Sequence, residues 1–167
     1  FAAKFSFNEK ENLELIDDGT SRNVYLLNSR IVLKIAKPQV LQVGVKQNET
    51  EYEFSKDDRF SNIVASVFEA GPEFIWIISE LVRPIEDYSE LERGFNIDRQ
   101  DLFSLFGPPS FSKKPLSTQN IPKELLKLKE LVDSGVIGRD VLKASSWGIT
   151  PDRKLVLLDY GMSQGVY

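Results

Sequence analysis

Apolar and polar residues alternate along the first half of the chain, a pattern typical of short β-strands joined by turns. It predicts a meander of three strands, followed by a hairpin whose turn contains Gly71 and Pro72. Between these two units, a polar stretch with aromatic residues at helical spacing predicts one surface helix over residues 46–56. The five strands are expected at residues 13–17, 23–27, 30–36, 63–69 and 74–82.

The pattern changes after Pro84, where helical periodicity replaces the strand-like alternation. The expected fold class is therefore α+β, with a five-stranded antiparallel sheet carrying one helix, then a reduced, mainly helical part with a β-hairpin. A stretch rich in Pro, Ser and Lys at residues 107–117 predicts a loop. The predicted helices span residues 88–93, 98–106 and 125–132, and the hairpin strands span residues 147–150 and 155–158.

The change of periodicity also suggests a division of the chain near residue 83. Residues 1–83 are expected to form the sheet with its helix, and residues 84–167 the helical part. The two parts are expected to share one compact domain, because 167 residues with 41% apolar content suit a single core.

Composition excludes several kinds of site. The chain has no cysteine and no histidine, so thiolate or imidazole metal sites and Ser-His-Asp triads are excluded. Its net charge of -4 argues against a nucleic-acid partner, which needs many phosphate-neutralising cations. The apolar runs are shorter than the roughly 20 residues that cross a bilayer, so we expect no membrane association and a cytoplasmic location.

Two motifs in the first half carry candidate chemistry. Residues 18–25 read Asp-Gly-Thr-Ser-Arg-Asn-Val-Tyr and place Gly19 in the turn before an apolar strand. The next strand, Ile-Val-Leu-Lys at residues 31–34, contains Lys34, with Lys37 as the alternative if the register differs. A lysine on the inner face of a sheet needs a carboxylate partner to offset its desolvation.

The predicted helix offers three glutamates as that partner, namely Glu49, Glu51 and Glu53. A glutamate that faces the sheet should lie three residues before an apolar residue on the same helical face. This holds for Glu49 before Tyr52 and for Glu51 before Phe54. The spacing therefore leaves both Glu49 and Glu51 as candidate partners of the lysine.

A further motif closes the predicted hairpin. An apolar strand ends in Asp159-Tyr160-Gly161, where the glycine permits a sharp backbone turn after the aspartate. Trp147, at the start of the hairpin, is predicted to be a core residue, because large aromatic side chains usually supply packing.

The order of these elements and motifs resembles protein kinases and aminoglycoside-phosphotransferase-like enzymes. The Trp-Gly-Ile strand, Pro-Asp turn and Asp-Tyr-Gly end also look like small kinase-like proteins of tailed bacteriophages. The resemblance implies ATP with Mg²⁺ as cofactor, an empty site being the alternative. It implies a nucleotide loop at Gly19, phosphate binding by Lys34, support of Lys34 by Glu51, adenine binding by the backbone of Glu80 and Val82, and a metal ligand at Asp159.

The catalytic loop departs from the family pattern. In kinases a catalytic aspartate is followed five residues later by a metal-binding asparagine. Here Asp140 is the candidate for that aspartate, but it lies one residue out of register, and Ser146 stands where the asparagine belongs. The chain also ends shortly after Gly161, so we expect no activation segment and no helical platform for a peptide acceptor. The resemblance is therefore to a minimal, degenerate member.

Three functional hypotheses follow. The first is a pseudokinase-type module that binds a nucleotide, a protein partner of unknown identity, or both. The second is an active phosphotransferase that uses ATP on a small-molecule or nonstandard acceptor. The third is a purely structural or interaction α+β protein in which Lys34, Glu51 and Asp159 form ordinary ion pairs. Convergence of these three residues on one cleft would weaken the third hypothesis.

Overall fold

The computed structural model describes residues 13–107, 121–134 and 139–158, with the side chains of residues 139 and 140 left out. The fold is α+β, as predicted. The first sheet comprises strands β1 (Glu14–Asp18), β2 (Arg22–Asn28), β3 (Ile31–Ala36), β4 (Val67–Ala70) and β5 (Trp76–Glu80), and helix α1 (Leu41–Lys56) lies between β3 and β4 in sequence.

The five strands form an antiparallel sheet in the order β1-β2-β3-β5-β4, with β3 at its centre. Successive side chains on a strand point to opposite faces. Val32 and Lys34 therefore share one face of β3, which we call the inner face because helix α1 contacts it there. Leu33 and Ile35 point to the outer face, where they pack with Ile78.

Helix α1 begins at Leu41, earlier than the predicted residue 46. Pro38 opens a 3₁₀ turn that leads directly into the helix. The helix is also less exposed than a surface helix, because it buries a polar face, which includes Gln47, Asn48 and Glu51, against the sheet. The periodicity of apolar residues does not detect a buried polar face, so the predicted helix began too late.

Strands β4 and β5 are shorter than predicted. Before β4, Val64 forms an isolated parallel bridge with Leu157 instead of joining the first sheet. Before β5, Pro72–Phe74 form a 3₁₀ turn in which Glu73 and Phe74 have φ values of 53° and 54°. This left-handed backbone cannot continue a strand, so β5 begins only at Trp76.

The rest of the described chain contains three helices and a small second sheet. Asp87 and Asp98 cap the helices that begin at Tyr88 and Arg99, and each accepts a hydrogen bond from a backbone N–H group in the first turn. The predicted hairpin is present and gains a third strand from the segment after β5. Most of the predicted loop lies outside the described residues. These elements are α2 (Tyr88–Phe95), α3 (Arg99–Phe106), α4 (Lys123–Asp133), β6 (Arg83–Pro84), β7 (Trp147–Ile149) and β8 (Leu155–Leu157).

The largest hydrophobic cluster lies among these helices and the second sheet. Trp147 is fully buried in it, packs edge-on against Phe95, and donates its indole N–H to the carbonyl of Val141 at 2.8 Å. Trp147 is thus a core residue, as predicted. Among the described residues, no helix is long and apolar enough to cross a membrane.

Candidate functional site

The predicted ion pair between β3 and helix α1 is present. Lys34 Nζ lies 2.8 Å from Glu51 Oε2, and the Lys34 and Glu51 side chains are 11% and 1% exposed. Glu49 instead pairs with Lys46 at the protein surface, at 2.7 Å. The structure therefore distinguishes Glu51 from the other two glutamates of the helix as the residue that faces the sheet.

A second cation, Arg22, binds the same carboxylate. Its Nη2 lies 2.7 Å from Glu51 Oε1, and its Nη1 donates to Asn48 Oδ1 at 3.2 Å. Asn48 in turn donates to the carbonyl of Phe74 at 2.8 Å. Helix α1, the start of β2 and the turn before β5 are therefore joined by one polar network around Glu51.

Sequence reasoning missed Arg22, which it assigned only to the turn. A signal was present, because Arg22 lies two residues before Val24 and so shares its face of β2. Val24 pairs directly with Lys34 across the two strands. Extending the alternation by one step places the two cations on the same inner face.

These charges control the ionisation of Glu51. Burial opposes the charged form of its carboxyl group, but the attraction of Arg22 and then of Lys34 outweighs burial and holds the pKa below its usual range. Glu51 is therefore an anion at neutral pH, with a cation on each oxygen.

The turn between β1 and β2 packs closely on this network. A Cβ atom at Gly19 would lie 3.2 Å from the carbonyl oxygen of Arg22, so the glycine permits a tight turn. The hydroxyl of Ser21 donates to the side-chain carbonyl of Gln47 on helix α1. The turn that contains Gly19 thus lies next to Arg22, the second cation of the network.

Lys37, the register alternative to Lys34, belongs to this turn and not to the buried pair. Its ammonium group pairs with Asp18, and its backbone N–H donates to the carbonyl of Ser21 at 2.9 Å. Lys34 is consequently the lysine that occupies the inner face.

The segment after β5 contains the predicted adenine-binding residues. Glu80 N–H donates to the carbonyl of Ser66 at 2.9 Å, and Leu81 N–H donates to the carbonyl of Arg30 at 2.7 Å. Within residues 13–107, 121–134 and 139–158, the N–H group of Val82 meets no acceptor. Among the described hydrogen bonds of residues 80–82, Val82 is therefore the residue whose N–H group has no backbone acceptor.

Ser79 lies just before that segment, on the inner face between Val32 and Val67. Its side chain is fully buried, and in the described part of the chain its hydroxyl has no hydrogen-bond partner. An unpaired buried hydroxyl is costly, and it marks a place where a water molecule or ligand group could bind.

The second sheet holds the chain directly before the predicted metal ligand. Leu157 N–H donates to the carbonyl of Ile63 at 2.8 Å, and Leu158 N–H donates to that of Ser146 at 2.7 Å. Asp159 itself lies outside the described residues. Its role as a metal ligand stays a prediction.

Asp140 lies in the 3₁₀ turn Arg139–Leu142, but its side chain is outside the described part of the structure. Its predicted role as a base therefore stays a prediction as well. Where the structure describes the chain, no three acidic side chains come together in a way that could hold a metal ion.

Comparisons with known proteins give structural neighbours but no sequence relatives. No protein-family model matches the chain, and no curated protein matches it. A crystal structure of WbdD is similar at a TM-score of 0.47 and 13% identity, over 90% of this chain and 33% of that one. SAICAR synthase from Saccharomyces cerevisiae, in complex with SAICAR, is similar at a TM-score of 0.41 and 12% identity, over 89% and 73%. The chain thus spans about a third of the length of WbdD.

Proposed function

We propose that this chain is a degenerate, kinase-like module that binds a nucleotide such as ATP on the inner face of its first sheet. The observation that carries the proposal is the buried pair of Lys34 and Glu51, which joins the central strand to helix α1. A lysine held in this way can present its charge to the phosphates of a nucleotide.

The burial of this pair favours a binding role over a purely structural one. Ionised groups lose hydration when they are buried, and well-packed apolar residues often stabilise a fold equally well or better. Lys34 and Glu51 nevertheless lie between the sheet and its helix, almost fully buried. A function that requires a fixed cation accounts for this arrangement.

Two features beside the pair support a nucleotide as the ligand. Val82 offers a backbone N–H group, which can donate to an adenine ring without any requirement for its side chain. Ser79 adds a hydroxyl on the inner face that has no hydrogen-bond partner among the residues described. A nucleotide has a heteroaromatic ring and phosphate groups, and these carry acceptors for the N–H group of Val82 and the hydroxyl of Ser79.

The proposal includes binding without efficient phosphoryl transfer. Transfer depends on metal ions and a positioned base, and the sequence has Ser146 in place of the metal-binding asparagine. A serine hydroxyl reaches less far than an asparagine carbonyl, so it is a poor substitute on Mg²⁺. A module of this kind would act through a protein partner.

A thermal-shift titration with ATP tests the proposal. A ligand that binds only the native state raises stability by about 2.7 kcal/mol at one hundred times its Kd. We therefore expect saturating ATP to raise the Tm of the wild type by roughly 4 °C or more. The rise should largely persist without Mg²⁺, because the sequence predicts one protein ligand for the metal.

Lys34→Ala and Lys46→Ala form a matched pair of variants for this titration. Both remove a lysine with a glutamate partner, but only Lys34 lies on the inner face. We expect Lys34→Ala to lose most of the ATP-dependent rise and Lys46→Ala to keep it. An absent rise in the wild type, or an equal rise in both variants, would favour the structural hypothesis.

A further inference from the structure

Glu51 has two cationic partners where one would neutralise its charge. Arg22 binds one carboxylate oxygen and Lys34 binds the other, at 2.7 and 2.8 Å. The Arg22 side chain is 12% exposed, so this second ion pair is almost as buried as the first. One cation would balance the charge of Glu51, so the second cation calls for an explanation.

The two cations are held differently. Arg22 also donates to Asn48, and Asn48 is fixed by its own hydrogen bond to the carbonyl of Phe74. Lys34, in the described part of the chain, has Glu51 as its one hydrogen-bond partner. An ammonium group on a flexible four-carbon chain also changes partners more readily than a planar guanidinium held at two points.

We propose that Arg22 is a positioning residue that keeps Glu51 paired when the ammonium group of Lys34 turns towards a bound phosphate group. This inference rests on the proposed nucleotide-binding function and assigns Arg22 a role in it. With ligand present, two cations then face two anions, and each anion keeps a partner.

Without Arg22, phosphate binding would carry a penalty. Lys34 would then be the cation that the structure still describes at this buried carboxylate, and sharing its charge with a phosphate would weaken its attraction to Glu51. A buried charge with no full partner is strongly unfavourable. The weaker pairing of Glu51 would then offset part of the binding free energy, and the affinity for the phosphate would fall.

Isothermal titration calorimetry of the full chain with ATP and with tripolyphosphate tests this role. We expect Arg22→Gln to weaken ATP binding about tenfold or more, because Glu51 loses its permanent partner. Arg22→Lys, which keeps the charge, should stay within about threefold of the wild type. Thermal unfolding of each variant establishes that it is folded at the temperature of the titration.

A second substitution distinguishes positioning from direct contact with the phosphate. If Arg22 acts by neutralising Glu51, the double variant Arg22→Gln, Glu51→Gln should bind ATP as tightly as Glu51→Gln alone. The double variant should also bind more tightly than Arg22→Gln alone. This comparison retains its meaning even if Arg22→Gln alone fails to fold, since the double variant has no buried carboxylate at residue 51.

Two results would overturn the inference while leaving the nucleotide proposal in place. One is wild-type affinity for ATP in Arg22→Gln; the other is a large loss on removing Arg22 from the Glu51→Gln background. Conversely, tripolyphosphate that binds as tightly as ATP and shows the expected variant pattern would support the role of Arg22 and contradict nucleotide binding. A wild type that binds neither ligand would overturn both.

Discussion

Helix α1 carries three closely spaced glutamates whose environments differ sharply. Glu53 is exposed, Glu49 is half-buried beside Lys46, and Glu51 is buried between two cations. Chemically identical side chains are thus expected to differ greatly in their effect on stability. The difference comes from burial, because the attraction between charges strengthens as water is excluded.

Glu51→Gln and Glu49→Gln measure this difference at a single residue. Removing the Glu51 charge leaves Arg22 and Lys34 close together with no anion between them. We expect the free energy of unfolding to fall by about 3 kcal/mol, as is typical when one member of a buried pair is removed. Glu49→Gln should change it by less than about 0.5 kcal/mol, since exposed pairs contribute little. Urea denaturation at pH 7 provides the comparison, and equal losses would contradict it.

The difference in stability between the wild type and Glu51→Gln is expected to depend on pH. The pKa of Glu51 is lower in the folded state than in the unfolded chain, so its charge stabilises the fold above the unfolded pKa. That contribution is lost as the pH falls through the folded pKa. The stability gap between wild type and Glu51→Gln should therefore stay constant from about pH 8 to 5 and narrow below about pH 4. A gap that widens in acid would show that the pKa is raised instead.

At the scale of elements, the position of helix α1 depends on one close approach. A Cβ atom at Gly44 would lie 2.7 Å from both the carbonyl oxygen of Ser21 and the Cβ of Ala36. The helix therefore contacts the turn before β2 and the end of β3 with almost no space between them. This contact brings Glu51 within reach of both cations.

Gly44→Ala should destabilise the protein, although alanine is the better helix former by about 1 kcal/mol. The added methyl group meets backbone and a rigid side-chain atom, so we expect a net loss of about 1–3 kcal/mol. Gly94→Ala in helix α2 is the matched control, because its methyl group meets the flexible end of Leu155 at 2.7 Å. It should be neutral or stabilising in urea denaturation. A stabilising Gly44→Ala would contradict the close packing of α1.

These elements also show what the sequence could and could not predict. The strand-like pattern placed β2 and β3 within a residue or two. The choice of Lys34 came from the resemblance of its strand to the kinase motif and not from alternation, since residues 31–33 are all apolar. Helix α1 was placed late and Arg22 was missed. The helix start depends on polar side chains packed inwards, which hydrophobic patterns do not register. Arg22 could have been found by extending the alternation of β2 one step before Val24.

At the scale of the whole molecule, the segment after β5 links the two sheets. Arg83 and Pro84 pair with Ile149 and Gly148 of β7, so the residues directly after Val82 belong to the second sheet. The chain before Val82 is tied to the first sheet by the hydrogen bonds of Glu80 and Leu81. A ligand bound at Val82 would therefore contact the segment that connects the two sheets.

The most direct test of the central claim is the location of ATP on the protein, measured by amide chemical shifts in ¹⁵N-labelled chain during a titration. Our account predicts saturable shifts centred on the inner face and its border, at Gly19, Lys34 and Val82. Phe68 of β4 is exposed and lies away from the Lys34–Glu51 pair in the strand order. Larger shifts around Phe68 than at Gly19 and Val82, or no shifts at millimolar ATP, would contradict nucleotide binding at that pair.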